Sequence, residues 1–440
     1  MIGFELCRWT KAEVAGCPKI SLTLLLGAAL LVTGCDFGDE VDELGEVDLR
    51  EGASAETGAV EAEEQPGEAL ESPPEAGHGP SEIPGHYIVM LKKGANPRAA
   101  AAAVRAKPEQ VYTRAISGFA GPLNQGQVTA LSRRKDVALI EPDQVVSATK
   151  QGCLTQIKGS PDYVPAYSVD RIDQLSLPFS NSYTYPDTKA AVKVFVFDTW
   201  MYTGHEDFES RAQAGYDGYP NQPSSGQDCS GHGTHVAGII GGKKYGVAKT
   251  AELVSVEVLD CKGKGSWSKL LAGIDWVLAN KGNVPAVANM SLRGSKSWII
   301  NSAVANLANS GVFVAVAAGN DNADACRYSP ASANNVMTTA ACNSNDQRAS
   351  FSNYGSCVDI YAGGTNIVSA WSDGSKRTAS GTSMATPHVA GVAALYKQVY
   401  GDAPSSQVKA YIASQATPNK ISGNPSKTPN LLLHWTCPGL

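Results

Sequence analysis

The sequence has few aromatic residues and no cluster of basic side chains. Aromatic residues make up 7% of the 440 residues, and Lys and Arg are scattered after residue 83. Nucleic-acid binding needs a basic stripe, so we expect no nucleic-acid partner. A Cys-x-x-Cys pair is also lacking, which argues against structural zinc. The ten cysteines, seven of them after residue 150, instead indicate disulfides in an exported protein.

A long apolar run that would span a membrane comfortably is lacking as well. The run at 20–34 has about 15 apolar or small residues. Because basic residues precede it, we predict a signal peptide over 1–34. The run ends in Val32-Thr-Gly-Cys35, which resembles the bacterial lipobox and implies lipidation of Cys35. The alternative is a secretory signal with an incidental cysteine. We therefore expect export from a bacterial cell, as a membrane-anchored lipoprotein precursor, as an extracellular product after processing, or as both.

Charge is distributed unevenly along the chain. Residues 36–82 contain 16 acidic side chains against one basic side chain, Arg50. A segment of this composition buries too little apolar surface to offset the entropy lost on ordering. We predict a disordered acidic tether over 35–83.

At about residue 84 the composition changes to that of a small folded unit. Strand-like segments at 86–92, 111–116, 117–121 and 137–143 are interrupted by helical segments at 98–106 and 125–134. This βαββαβ order predicts a small α+β, ferredoxin-like domain over 84–150.

The remaining chain, 151–440, alternates between apolar strands and helices. The predicted strands are 192–197, 253–259, 286–292 and 312–316, and the predicted helices include 270–280 and 299–309. Such alternation predicts an α/β fold, a doubly wound, mostly parallel sheet with helices on both faces. Functional sites in these folds lie at the carboxyl ends of strands, where Asp198 and Asn320 occur.

Ser383 precedes a long apolar helical segment, with Pro387 expected in the first turn of that helix. Alone, Ser383 is better explained as a helix cap. A serine nucleophile requires a base and a carboxylate that orients the base. Of seven histidines, His232 is the best candidate base because the glycines beside it allow close approach of a substrate. His235 is expected to be a hydrogen-bonded core residue rather than a metal ligand, since no acidic third ligand follows it.

Four separated motifs resemble the subtilisin family of serine proteases, nearest its proteinase K and aqualysin branch. They are Asp198-Thr, 231–238, 317–320 and 381–391. The order Asp, His, Ser is the subtilisin order. The resemblance implies a serine endopeptidase in which Ser383 is the nucleophile, His232 the base and Asp198 the orienting acid. It also implies that Asn320 binds the oxyanion.

The segment 84–150 resembles the inhibitor-type prodomain of the same family. The similarity lies in Tyr87-Ile-Val, Ser117-Gly-Phe-Ala and the closing residues 137–143. It implies a zymogen in which the prodomain assists folding and inhibits the enzyme. Its C-terminal tail would lie in the active site until self-cleavage near Lys150. We expect a monomer that acts on proteins and peptides.

The resemblance also implies how a substrate binds. The substrate would form an extended strand between two segments. The residues expected to contact its backbone are Leu292, Arg293 and Gly294 on one side and Gly263 and Gly265 on the other. The primary pocket would be walled by Ala317, Ala318 and Gly319. Without a carboxylate at its base, such a pocket predicts broad apolar or aromatic preference.

Two disulfides and a calcium site follow from the same resemblance. The implied disulfides are Cys229–Cys261 and Cys326–Cys357; we guess that Cys153 pairs with Cys437 and that Cys342 is buried and free. The calcium ligands would be the carboxylate of Asp359 and the carbonyl groups of Asn334 and Val336. The alternative is that Asp359 is simply solvated.

The chain departs from the family pattern at two positions. Trp200 stands where the family has glycine after Asp-Thr, and it is strained by about 1–2 kcal/mol if φ is positive there. Arg293, in place of a usual glycine, puts a cation on the substrate-binding edge. Only these departures favour the rival hypothesis, a catalytically weak surface lipoprotein that binds through the cleft or the retained prodomain.

Overall fold

The computed structural model describes residues 82–148, 151–156, 166–186, 190–220 and 226–436. The predicted signal peptide, Cys35, nearly all of the tether and Cys437 lie outside the described residues, and so the guessed Cys153–Cys437 pair is not described. Within that described part, the helices are too short or too polar to cross a membrane.

The segment from residue 82 to 148 has the predicted βαββαβ order. Its elements are β1 (Glu82–Leu91), α1 (Pro97–Ala103), β2 (Gln110–Tyr112), β3 (Gly118–Pro122), α2 (Gln125–Ser132) and β4 (Val137–Ala148). Local chemistry fixes the helix starts: Asn96 caps α1 just before Pro97, and Asn124 and Gln127 form a capping box at α2. Strand β1 pairs antiparallel with both β3 and β4.

The strands of the larger segment begin just beyond the end of β4. They are β5 (Gln151–Gln156), β6 (Lys193–Asp198), β7 (Ala212–Tyr216), β8 (Glu252–Glu257), β9 (Lys264–Ser266), β10 (Ala286–Met290), β11 (Leu292–Ser295), β12 (Phe313–Ala317), β13 (Tyr328–Ser329), β14 (Met337–Cys342), β15 (Ile360–Gly363), β16 (Ile367–Ala370), β17 (Lys376–Ser380), β18 (Thr417–Pro418) and β19 (Leu431–Leu432).

The helices of this segment alternate with the strands. They are α3 (Tyr167–Asp170), α4 (His232–Gly241), α5 (Trp267–Asn280), α6 (Trp298–Asn309), α7 (Thr382–Tyr400) and α8 (Ser405–Gln415), together with 3₁₀ turns at Arg171–Asp173, Glu206–Phe208 and Ala325–Arg327.

Within the described ranges the main sheet has nine strands in the order β18-β19-β15-β14-β12-β10-β6-β8-β7. Neighbouring strands are parallel except β18 and β19. Both faces are covered, as β6 demonstrates: Val194 and Val196 pack in the core with α4, α7 and α8, whereas Phe195 and Phe197 pack with α5 and α6. The predicted α/β class with helices on both faces is confirmed.

Helix α7 passes through the core and contains a buried histidine, His388. The Nδ1–H of His388 donates to the carbonyl of Met384 at 2.8 Å, and Nε2 accepts from the hydroxyl of Ser168 at 2.9 Å. One donor and one acceptor describe a neutral imidazole. Burial lowers the pKa of His388 to about 4, although bonds to the backbone of Met384 and Ala385 oppose this effect.

We predict that His388 makes the protein less stable in mild acid. The unfolded chain takes up this proton near pH 6.5 and the folded chain only near pH 4, so stability falls as the pH drops through that window. The loss amounts to about 3 kcal/mol. Urea unfolding at pH 7 and pH 4.5 measures the loss. His388→Asn should reduce this pH dependence. Equal pH dependence in the parent chain and His388→Asn would contradict the assignment.

Candidate active site

Asp198 and His232 form a buried contact where β6 ends and α4 begins. The Oδ1 atom of Asp198 lies 2.6 Å from Nδ1 of His232, and each residue is 1% exposed. The same oxygen accepts from the backbone N–H of Thr199 at 2.8 Å. Because a carboxylate only accepts, Nδ1 of the imidazole carries the proton. The other nitrogen, Nε2, is buried and has no hydrogen-bond partner among the described residues.

The glycines that flank His232 have a packing role that was not predicted from the sequence. A Cβ on Gly231, which has a φ of 85°, would lie 2.1 Å from the indole of Trp371. A Cβ on Gly233 would lie 1.7 Å from the carbonyl oxygen of Trp200. The glycines therefore let α4 pack against two tryptophans, and this packing fixes where the imidazole lies.

Asp228 holds the start of α4 and was not found by the sequence analysis. Its carboxylate accepts from the backbone N–H of Gly231 at 2.8 Å and of Thr234 at 3.0 Å, and from the hydroxyls of Thr234 and Thr199. Burial raises the pKa of Asp228, and the bonds from Thr234 and Gly231 oppose that rise. An acidic residue just before a helix start is the signal that would have identified it.

Ser383 is the second residue of α7, and Ser291 contacts it twice. The Oγ of Ser383 donates to the carbonyl of Ser291 at 3.0 Å, and the Oγ of Ser291 donates to the carbonyl of Ser383 at 2.9 Å. The second bond has a cause in the sequence. Pro387 lies in the second turn of α7, not in the first turn as predicted, and without an N–H it cannot bond the carbonyl of Ser383. Ser291 satisfies that carbonyl instead.

Asn320 is oriented by the residue before Ser383. Its Oδ1 accepts from the backbone N–H and from the hydroxyl of Thr382, both at 2.9 Å, so its amide nitrogen points away from Thr382. The chain before it, Ala317 and Ala318, is fully buried. Gly319 has a φ of 104°, and a Cβ there would lie 2.4 Å from the amide nitrogen of Asn353. Gly319 is thus required by its backbone conformation and by its packing.

The end of β4 lies between β9 and β11. Ser147 pairs with Lys264 on one side and with Arg293 on the other; Val146 pairs with Gly265 and Ala148 with Leu292. Two of the expected edge residues lie beside this pairing. Gly263 is in the turn before β9, with a φ of 70°, and Gly294 pairs with Ser329 of β13.

Two acidic side chains of β4 anchor it to helix N-termini. Glu141 accepts from the hydroxyl of Ser297 and, at 3.1 Å, from the N–H of Trp298 at the start of α6. Asp143 accepts from the N–H of Ser268 at 3.1 Å and from its hydroxyl at the start of α5. Burial raises the pKa of both carboxyl groups, against the effect of these bonds. Anions at helix N-termini also meet the positive end of the helix dipole.

The motifs, the fold and this geometry agree with one family of known proteins. A family model described as the subtilase family, peptidase S8, matches residues 189–430. The chain belongs to the subtilase family. A second model, peptidase inhibitor I9, matches residues 86–149. The prediction of a subtilisin-like serine protease with an inhibitor-type prodomain is thereby confirmed.

Individual relatives agree with this placement. The chain is 44% identical over 383 residues to the extracellular serine proteinase of Thermus sp. (strain Rt41A), covering 81% of this chain and 90% of that protein. It is 41% identical over 384 residues to proteinase R of Parengyodontium album, covering 86% and 94%. The crystal structure of a cold adapted subtilisin-like serine proteinase is similar at a TM-score of 0.60 and 47% identity, covering 62% of this chain and 99% of that chain.

In this subtilase Trp200 has a φ of 107° and is 5% exposed. The positive φ meets the condition under which we expected strain of about 1–2 kcal/mol. Burial of a large aromatic side chain is worth more, because truncating such a residue to alanine typically costs about 3–5 kcal/mol. The protein therefore gains more from the packing of Trp200 than it loses to its backbone conformation.

The second departure, Arg293, has partners of its own. Its guanidinium donates to Asp321 at 2.6 Å and lies 5.0 Å from the ring centroid of Tyr328. The cation at the cleft edge is thus paired with an anion and stacked on an aromatic ring. A guanidinium held in this way is less able to bind an acidic substrate side chain than we expected from the sequence.

The cysteines of the subtilase follow the expected pattern where the structure describes them. Cys229–Cys261 and Cys326–Cys357 are disulfides. Cys342 is free and buried, and burial raises the pKa of its thiol to about 12. Such a thiol is unreactive. The guessed Cys153–Cys437 pair stays a prediction.

The expected calcium ligands are close together, but a lysine contacts them. The Nζ atom of Lys409 lies 2.8 Å from Oδ1 of Asp359 and 2.7 Å from the carbonyl oxygen of Val336. The exposed Asn334 is in the same loop as Val336. In the described part of the chain no group of three or more His, Cys, Asp or Glu side chains is suited to hold a metal ion. With an ammonium group at these oxygens, the residues present do not fit Ca²⁺.

We predict that Asp228→Ala lowers both stability and turnover. It leaves up to four buried donors unsatisfied, which should cost about 2–3 kcal/mol, and it frees the start of α4 that carries His232. Asp170→Ala is the matched control, because Asp170 is equally buried and accepts from Ser180 and Asn181. Below the melting temperature of both variants, kcat should fall at least tenfold only in Asp228→Ala. An equal kcat in the two variants would contradict a positioning role for Asp228.

Proposed function

We propose that the chain is an exported serine endopeptidase that hydrolyses peptide bonds through Asp198, His232 and Ser383 and is made as a zymogen. The observation that carries this proposal is the buried 2.6 Å contact between Asp198 and Nδ1 of His232. It leaves Nε2 as the nitrogen that can take a proton. Membership of the subtilase family and the similarity to the extracellular serine proteinase of Thermus support the proposal.

In the proposed reaction, the Oγ of Ser383 attacks the scissile carbonyl while Nε2 of His232 takes its proton. The tetrahedral intermediate collapses when His232 returns that proton to the leaving amine. Water then hydrolyses the acyl-enzyme by the same two steps. Asp198 stays ionised throughout and stabilises the imidazolium. Since Ser383 Oγ donates to Ser291 in the structure, this hydroxyl must rotate from Ser291 towards His232 before it can react.

The oxyanion would be bound by the amide nitrogen of Asn320 and by the backbone N–H of Ser383. Thr382 supports this role because its two bonds to Oδ1 fix the orientation of the Asn320 amide before substrate arrives. The N-terminus of α7 adds a favourable field for negative charge. Removal of one such donor typically lowers kcat by about 10²–10³.

Substrate would bind as β4 does, as a strand between β9 and β11. Backbone hydrogen bonds from the two edges give affinity without regard to side chains. Ala317, Ala318 and Gly319 would wall the primary pocket, and their small apolar surfaces favour apolar or aromatic side chains. We therefore propose broad specificity with an apolar or aromatic preference.

We propose the prodomain (84–150) as an intramolecular inhibitor of the catalytic domain (151–440). The pairing of β4 with both cleft edges supports it. Beyond β4 the chain continues into β5, in which Gln151 pairs with Ser380 of β17, three residues before Ser383. Lys150 lies between these two pairings, that of β4 with the cleft edges and that of Gln151 with Ser380. This position supports self-cleavage near Lys150. A lipid at Cys35 and the tether over 35–83 would then leave with the prodomain, so the mature enzyme would be extracellular.

Ser383→Ala should abolish both hydrolysis and maturation. Loss of the nucleophile lowers kcat by about 10⁶ in enzymes of this type. Expressed and exported, the variant should stay a single chain across residue 150, whereas the parent should begin near residue 151 by N-terminal sequencing. A chromogenic apolar peptide measures the activity, and a thermal melt shows that the variant is folded. Equal hydrolysis rates would contradict the triad, and an intact, inactive parent would favour the binding hypothesis.

Asp321→Asn should shift specificity towards acidic substrates. Without its anionic partner, Arg293 can pair with a Glu side chain upstream of the cut bond. We expect kcat/KM for such a peptide, relative to its Gln analogue, to rise by roughly 3–5-fold at low salt and less at high salt. Glu206→Gln breaks the Glu206–Lys244 ion pair, which is not on either cleft edge, and should leave this ratio unchanged. An unchanged ratio in Asp321→Asn would mean that Arg293 does not contact substrate.

A further inference from the structure

The residues around Asp359 come from three elements that meet at one end of the main sheet. Val336 immediately precedes β14, Asp359 immediately precedes β15, and Lys409 lies in the middle of α8. The second carboxylate oxygen of Asp359 accepts from the N–H of Thr338 at 2.8 Å. Asp359 thus links two neighbouring strands, and Lys409 links both of them to α8.

Lys409 is held at this position by the packing of its helix. Val408 and Ile412 of α8 are fully buried in the core, and the hydroxyl of Ser405 donates to the carbonyl of Asn335 at 3.1 Å. The side chains of Lys409 and Asp359 are 31% and 26% exposed. The pair is therefore partly shielded from water, where an ion pair is stronger than at a fully exposed site.

A calcium ion and this ammonium group compete for the same oxygens. Ca²⁺ needs six to eight oxygen ligands at about 2.3–2.6 Å. Lys409 Nζ lies 2.8 Å from Asp359 Oδ1 and 2.7 Å from the Val336 carbonyl, which are hydrogen-bond distances for an ammonium group. A calcium ion bound to both oxygens would be in contact with the ammonium group, and the two positive charges would repel each other. Occupation by one cation excludes the other.

We propose that the ammonium group of Lys409 is a built-in cation that takes the place of a structural calcium ion, so that this site stabilises the fold without metal. It joins the carboxylate of Asp359 and the carbonyl oxygen of Val336, two of the three ligands expected for the ion. Unlike a bound ion, the positive charge belongs to a side chain of α8 and reaches the site when α8 folds. A second lysine is used similarly at the end of α7.

That second lysine is Lys397, whose side chain is 0% exposed. Its Nζ donates to the carbonyls of Gly311 at 2.8 Å and Ala403 at 3.1 Å and to the carboxylate of Asp402 at 2.6 Å. Two consecutive helices, α7 and α8, thus each carry a lysine whose ammonium group contacts a carboxylate and at least one backbone carbonyl. The repeated donor set supports the view that lysine serves here as an internal cation.

The test compares melting temperatures in EDTA and in CaCl₂, using the full chain with Ser383→Ala to prevent self-digestion. We expect the parent to melt at the same temperature in both. Lys409→Met should melt lower in EDTA, and CaCl₂ should raise its melting temperature by roughly 4–8 °C, since the oxygens are then open to the ion. Lys409→Arg should melt near the parent because it keeps the charge. Lys244→Met, at the surface pair with Glu206, is the matched control and should show no response to calcium.

Three outcomes would overturn the proposal. The first is an EDTA-sensitive parent whose sensitivity disappears in Asp359→Asn, which would place a calcium ion at Asp359. The second is a Lys409→Met chain that melts like the parent in EDTA. The third is a destabilised Lys409→Met chain that calcium does not restore. If Lys409→Met does not fold, calorimetric titration of the parent and of Asp359→Asn with CaCl₂ decides, because the proposal requires equal heats from both.

Discussion

The arrangement of the candidate active site depends on the hydrogen bond between Asp198 and His232. A carboxylate that is almost completely buried is costly unless it is paired, so its partners must be in place when the chain folds. The sheet supplies Asp198 at the end of β6, and α4 supplies His232 as its first residue. Asp228 and two close-packed glycines prevent the start of α4 from shifting. The imidazole is positioned by burial and packing before any substrate arrives.

The cleft is an open sheet edge on both sides, and β4 satisfies both edges at once. The Cys229–Cys261 disulfide joins the segment before α4 to the loop before β9. The segment that precedes His232 and the segment that precedes β9 are therefore covalently coupled. Under the proposed function, recognition through backbone edges would allow substrates of unrelated sequence to bind where β4 binds in this structure.

The sequence was sufficient for most of the elements, and its motifs contain Asp198 and His232, which the structure brings into contact. The period of apolar residues predicted β6, β8, β12, α5 and α6 to within a few residues. It did not predict the contact of Ser291 with Ser383. The hydroxyl of Ser291 is needed because Pro387, in the second turn of α7, cannot donate to the carbonyl of Ser383. The sequence instead predicted a later start of α7, with Pro387 in the first turn. Lys409 was missed for another reason: its partners, Asp359 and Val336, are distant in sequence, and only packing brings them together. Asp228 is close in sequence to its partners Gly231 and Thr234, and its position just before a helix start was the signal that was overlooked. The glycines beside His232 were found, but their packing role was not, since Trp371 lies far along the chain.

An ammonium group at the site of Asp359 and Val336 would make the stability of the fold independent of the calcium concentration. A bound ion exchanges with its surroundings, so the stability it confers varies with dilution and with whatever else binds calcium. An ammonium group on α8 is present at a fixed, high local concentration in every copy of the chain. The same contact is instead exposed to mutation, because a single codon change removes it. The stability that this site contributes then depends on the codon for Lys409 and not on the calcium concentration of the medium.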